Sequence, residues 1–135
     1  PIVAHEFLGT SVEGKDMIII DDMISSGESV LEVAAELKQR KANKIFIFAT
    51  FGLFTNGLDK FDKAFESGMI DKVLTTNLIY QTPELLNREW YINCDMSKYI
   101  AYIIDTLNHD TSISDLLNPN ERIQAVVAKY KAGDL

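Results

Sequence analysis

Between Met17 and Val30 the chain reads MIIIDDMISSGESV: an apolar run, two adjacent carboxylates, a loop of small residues, then a helix start. The uninterrupted stretch from Asp16 to Asp21 suits a central parallel strand, buried on both faces. Ser25, Ser26, Gly27 and Ser29 are small enough for a backbone to curl around an anion, and the three serines add hydroxyl donors. A helix that follows offers unpaired N–H groups and the positive end of its dipole. Asp21 and Asp22 are acceptors for the vicinal hydroxyls of a ribose, or oxygen ligands for Mg²⁺. A sugar phosphate needs both sets of groups. The purely structural alternative is a pair of strand-end acids followed by a serine cap. No Gly-Lys-Ser/Thr is present, so this is not a Walker loop, and the G-x-G-x-x-G dinucleotide fingerprint is absent too.

The rest of the chain alternates in the same way. Ser29 to Lys41 carries Val30, Val33, Ala34 and Leu37 at helical spacing. Lys44 to Phe51 is β-branched and aromatic, as a second buried strand requires. Leu58 to Ser67 reads as a helix stopped by Gly68. Asp71 to Thr76 and Glu89 to Asn93 read as two more strands, joined through a connection holding Pro83. Ser97 to Asn108 places Ile100, Ile103, Ile104 and Leu107 on one helix face, with Asp95 or Ser97 as cap. Ile113, Leu116 and Leu117 make a short apolar patch. Glu121 to Lys131 is a last amphipathic helix, introduced by Asn118 and Pro119. The opening, Pro1 to Gly14, reads as a strand or an arm. The order β-α-β-α-β-β-α predicts an α/β fold: a mostly parallel sheet flanked by helices on both faces, in one domain over residues 1–135, with 118–135 as a C-terminal helical extension. In such sheets ligands bind beyond the carboxyl ends of the strands, where Asp21 to Ser29 falls.

Composition narrows the function classes. The 135 residues suffice for one core, at 47% hydrophobic and 24% charged. The net charge of −7 argues against a nucleic-acid surface, which needs clustered cations to displace counterions. The cluster Lys38, Arg40, Lys41 and Lys44 lies at a predicted helix end, where cations complement the dipole. No apolar run approaches the roughly 18 residues of a membrane span, and no signal peptide is visible. One cysteine, Cys94, excludes an internal disulfide and fits a reducing cytoplasm as a buried small residue. His109 is expected to cap carbonyls at a helix end, and His5 to be an ordinary polar side chain.

The segment IIIDDMISSGES resembles the ribose-phosphate signature of the type I phosphoribosyltransferase fold. That resemblance implies that Asp21 and Asp22 contact the ribose and that Ser25, Ser26, Gly27, Glu28 and Ser29 hold the 5-phosphate. IFIFATFGLFTNG, VLTTNLIYQTPE and INCDMSKYIAYIIDTLNHDTSISDLL extend the likeness, from about Lys15 to Leu117, to the second half of the ribose-phosphate diphosphokinases (PRPP synthetases). Some positions depart from the family pattern. Ser25 stands where many members have Asp, Gly27-Glu28 where a small residue and Gly are common, and Phe51 where His is frequent.

Membership would imply a kinase-type transferase of nucleotide biosynthesis. It moves diphosphate from ATP, with Mg²⁺, to the 1-hydroxyl of ribose 5-phosphate, in a cytoplasmic homo-oligomer. The apolar loop Phe51 to Phe54 is a candidate for an interface or for core packing. The family's ATP-binding half and its catalytic Lys/Arg loop lie ahead of the corresponding strand. Here residues 1 to 15 hold one cation, Lys15, and no Arg. The expectation is therefore a sugar-phosphate-binding half with no catalytic residue of its own, whose Lys/Arg loop lies upstream of Pro1. The runner-up readings are a salvage phosphoribosyltransferase and a non-catalytic regulatory homologue.

Overall fold

The computed structural model describes residues 11–114 and 118–134. The chain divides into two compact units, Pro1–Asp95 and Met96–Leu135. The expected opening strand, His5, and the patch residues Leu116 and Leu117 lie wholly or largely outside the described residues.

The first unit is built on four parallel strands: β1 (Met17–Ile24), β2 (Ile45–Gly52), β3 (Lys72–Thr76) and β4 (Tyr91–Cys94). Helices α1 (Glu28–Gln39), α2 (Asp59–Glu66) and the short α3 (Pro83–Leu86) connect them. The sheet order is β1-β2-β3-β4, so the chain adds strands in one direction only. Right-handed crossovers that advance in one direction put successive helices on the same face. Ile19, Ile47, Val73 and Tyr91 stand in register on that face. Val30, Leu31, Ala34 and Leu37 of α1 and Phe61 and Ala64 of α2 close over it in a single core.

This topology corrects one expectation. β1 is an edge strand among the described residues, and its burial alternates instead of being continuous. Ile18 and Ile20, on the face turned away from α1 and α2, are 60% and 81% exposed. In this unit the described helices therefore cover one face, where both were expected. The apolar run marked a strand correctly, but which faces are covered depends on strand order, which no local pattern encodes.

The helix limits follow local chemistry. α1 starts after Gly27, which takes a left-handed φ of 83°, and ends where the Arg40 N–H reaches Glu36 O. Three of the four cations expected at its end are engaged there: Lys38 with the carbonyl of Asn43, Arg40 with Glu36 and Lys41 with Glu13. α2 ends as predicted, with the Gly68 N–H on the Phe65 carbonyl at φ 71°. The connection around Pro83 contains α3, which the sequence reading does not mark as a helix; Thr82 Oγ1 caps it by accepting from Leu85 N at 3.2 Å.

The second unit holds α4 (Ser97–Asn108) and a last helix, α5 (Asn120–Ala132). The N-cap position of α4 is Met96, between the two expected candidates Asp95 and Ser97. His109 does cap: its Nδ1 is 2.9 Å from the Asp105 carbonyl. Arg122 of α5 lies over the Tyr99 ring of α4 at 5.3 Å. No residue of either helix is buried.

Candidate functional site

The loop from Ser25 to Gly27 joins the carboxyl end of β1 to the start of α1. Asp21, Ser25, Ser26, Gly27 and Ser29 line one cavity of about 100 Å³ there, with Met23, Ile24 and Val30 completing its wall. Five of the seven residues singled out from the sequence thus meet around one space. Asp22 and Glu28 do not line it. Asp22 is exposed, and its backbone N–H donates to Asp21 Oδ1 at 2.8 Å. Ser26 Oγ accepts from the Glu28 N–H at 3.4 Å, and Leu31 N bonds back to Gly27 O at 3.1 Å. Ser29 and Val30, in the first turn of α1, line the cavity with Ser25 and Ser26, and the first turn of a helix is where backbone N–H groups are left without intrahelical partners.

The loop is fixed from outside itself. Ile24 O accepts from Leu53 N at 2.8 Å, and Ser25 O from Thr55 N at 3.0 Å, so the loop after β2 holds the loop after β1. Gly27 lies directly on Phe61: a Cβ there would stand 2.3 Å from Cε2 and 2.5 Å from Cζ. Phe61 is fully buried between Phe54 and Trp90, with ring centroids 5.1 and 5.4 Å away. Glycine is needed here twice, for its positive φ and for its missing side chain. Lys60, one residue before Phe61, forms an ion pair with Glu28, and the ammonium holds the Glu28 carboxyl below its ordinary pKa.

Asp21 also borders a shallow groove of about 190 Å³, formed with Ile20, Phe48, Ala49, Thr50, Leu74, Thr76 and Cys94. Asp21 thus lines both the cavity at the first βα turn and this groove. Cys94 is half-buried on the groove wall instead of deep in the core. Thr50, Thr76, Lys60 and Phe61 were not singled out from the sequence. The two threonines had a usable signal, since both lie at the carboxyl end of a predicted strand. Lys60 and Phe61 had none, since their contacts span 32 residues or more.

A larger cleft of about 290 Å³ opens between Gly52–Phe54, the start of α2 and the segment from Tyr80 to Arg88. Arg88 Nε is 3.0 Å from Asp62 Oδ1, which also accepts from Trp90 Nε1 at 2.7 Å. The loop Phe51 to Phe54 divides between its two candidate roles: Phe54 is core, while Phe51 and Leu53 are exposed. Among the described residues no group of three or more His, Cys, Asp or Glu side chains could hold a metal ion. Nor is any described helix long and apolar enough to cross a membrane.

A parallel sheet whose first βα turn carries two acids and a serine-glycine loop defines a phosphoribosyltransferase-like α/β fold. The fold matches a crystal structure of phosphoribosylpyrophosphate synthetase from Mycobacterium smegmatis, with a TM-score of 0.65, over 76% of this chain and 33% of that one, at 22% identity. Residues 6–118 match the family model described as phosphoribosyl synthetase-associated domain, and the chain belongs to that family. Curated relatives named ribose-phosphate pyrophosphokinase are similar to it. That of Shewanella oneidensis is 32% identical over 107 residues, 79% of this chain and 33% of the relative. That of Vibrio parahaemolyticus is 31% identical over 108 residues, with the same coverage. That of Mycoplasma pneumoniae is 39% identical over 72 residues, 53% of this chain and 22% of the relative. The chain spans about a third of the length of the first two relatives. α5 lies beyond the family match.

Proposed function

We propose that this chain is the ribose-5-phosphate-holding part of a ribose-phosphate diphosphokinase. The observation that carries the reading is the convergence of Asp21, Ser25, Ser26, Gly27 and Ser29 on one cavity at the first βα turn. The 5-phosphate would take the N–H groups at the start of α1 and the serine hydroxyls. Asp21 would accept from the ribose hydroxyls and so orient the 1-hydroxyl outward, with Asp22 as an exposed second acceptor. Diphosphate transfer from ATP needs cations aimed at the moving group. Lys60, the cation found at the loop, is committed to Glu28. The nucleotide site and the transferring cations therefore belong to the two-thirds of the relatives' length that this chain does not match, and this chain alone binds without turning over. On this reading residues 1–135 act as one sugar-phosphate domain with 118–135 appended.

Mg²⁺ fits this site only in company. It prefers one or two carboxylates plus substrate phosphates over an all-protein cage, and Asp21 at the cavity offers one. Bound in that way, the ion would neutralise phosphate charge. The proposed setting is the cytoplasm, in a homo-oligomer to which the exposed Phe51 and Leu53 are available. No nucleic-acid or membrane partner is proposed.

Titration calorimetry of the 135-residue chain tests the reading. Ribose 5-phosphate should bind and ribose should not, and Asp21→Asn with Ser26→Ala should abolish the heat. Equal binding of ribose, or an unaffected variant, refutes the site. A coupled assay with ATP and Mg²⁺ tests the second claim, and synthesis of the diphosphate by the pure chain refutes it.

A further inference from the structure

The start of α1 presents an electrostatic conflict. An acidic side chain in the first turn of a helix sits in the same favourable field that attracts a bound anion. Glu28 is the first residue of α1, so its carboxylate competes with a phosphate for that field and repels it as a like charge. Yet the carboxylate does not line the cavity, although residues on both sides of it do. What draws it away is Lys60, on α2, whose ammonium pairs with Glu28 Oε1. The geometry of α2 here is not adjustable. Phe61, the next residue, is fully buried and in contact with Gly27, so the turn of helix carrying Lys60 is registered against the loop carrying Glu28.

From this arrangement we infer that Lys60 is a positioning residue for phosphate: it holds the Glu28 carboxylate outside the cradle and cancels its charge, which makes the site accept a dianion. The inference rests on the proposed ribose-5-phosphate site. It also names the compensation for having Glu at the helix start. Lys60 acts through Glu28 and not on the ligand, so its effect exists only while Glu28 is charged.

The test is a double-mutant cycle on the full chain, with ribose 5-phosphate as probe at low ionic strength. Lys60→Met should weaken binding about two- to fivefold, the size of one exposed charge acting at a helix N-terminal turn. Lys60→Arg should restore it. Glu28→Gln should tighten binding by a similar factor, and adding Lys60→Met to Glu28→Gln should cost nothing further. The Lys60→Met loss should shrink as salt rises toward 1 M, where screening reaches about 3 Å. If the Lys60–Glu28 pair served only to hold the two helices together, Glu28→Gln would weaken binding as Lys60→Met does instead of tightening it, and that result overturns the inference. A persistent loss in the Glu28→Gln background means that Lys60 touches the ligand, and overturns the inference. So does unchanged binding in Lys60→Met. If the wild-type chain fails to bind ribose 5-phosphate at all, the proposed site and this inference fall together. Binding that ignores Lys60 removes the inference alone.

Discussion

Gly27→Ala should cost far more stability than an alanine at an ordinary turn glycine. Two terms combine. At φ 83° an L-residue pays the left-handed penalty, about 1–2 kcal/mol. The new methyl would also meet Phe61 Cε2 at 2.3 Å and Cζ at 2.5 Å. A phenyl edge can normally swing aside, but this ring is fully buried, edge-on to Phe54 and stacked on Trp90. Forcing it to move is overpacking, worth about 1–3 kcal/mol. The sum is about 2–5 kcal/mol, a large fraction of a stability of roughly 5–15 kcal/mol. Gly57 is the matched control. Its φ is 77°, and a Cβ there meets nothing within 4 Å, so Gly57→Ala should lose only the strain term. Urea unfolding followed by tryptophan fluorescence reads both, since Trp90 is in the affected cluster. Adding Phe61→Leu to Gly27→Ala should recover at least about 1 kcal/mol through coupling between touching residues. Equal losses for Gly27→Ala and Gly57→Ala, or strict additivity with Phe61→Leu, would refute the wedge between loop and ring.

Other consequences can be measured in the same way. Gly52→Ala would place a Cβ 2.6 Å from Phe54 Cε2 and 2.9 Å from Thr75 Cγ2, so it should destabilise by about 1–3 kcal/mol in urea unfolding. Tyr91→Phe should cost about 1–3 kcal/mol, because the hydroxyl of buried Thr75 loses its partner at 2.7 Å and Gln81 loses an acceptor. Burial, the leading cause, raises the Tyr91 pKa above its ordinary 10.0. Both states are protonated below that value, and above it the unfolded chain ionises first. Wild-type stability should therefore fall more steeply than that of Tyr91→Phe as pH rises from about 10. Identical slopes would contradict the buried phenol. Asp21→Asn should weaken ribose 5-phosphate binding about ten- to a hundredfold in calorimetry, the range of a hydrogen bond to a charged acceptor, with unfolding little changed.

Element type was legible wherever a local period existed. The apolar runs at Ile18 and Ile45 announced strands, and the 3.6-residue spacing after Ser29 announced α1. Gly68 marked the end of α2. The candidate cavity was traceable in the sequence because its lining is nearly contiguous: a strand end, a loop and a helix start lie between Asp21 and Val30. Three features escaped for physical reasons. The exposed face of β1 follows from strand order, which is a property of the whole sheet. α3 is only four residues long and rests on one threonine cap, too short for any period to show. The clamp on the loop comes from Lys60 and Phe61, which approach Glu28 and Gly27 only after α2 has packed. The two acids also differ in placement, which adjacency in sequence does not show. Successive residues of a strand point to opposite faces, and only Asp21 lines the cavity.

The claim that Asp21 to Ser29 holds a sugar phosphate is tested most directly by amide chemical-shift mapping of the labelled chain with ribose 5-phosphate. The largest, saturable shifts should fall on the amides of Ser25 to Val30 and on Asp21, with smaller ones at Thr50 and Thr76. Shifts clustered instead on Gly52 to Arg88 around the larger cleft, or no saturable shift at the first βα turn, would contradict it.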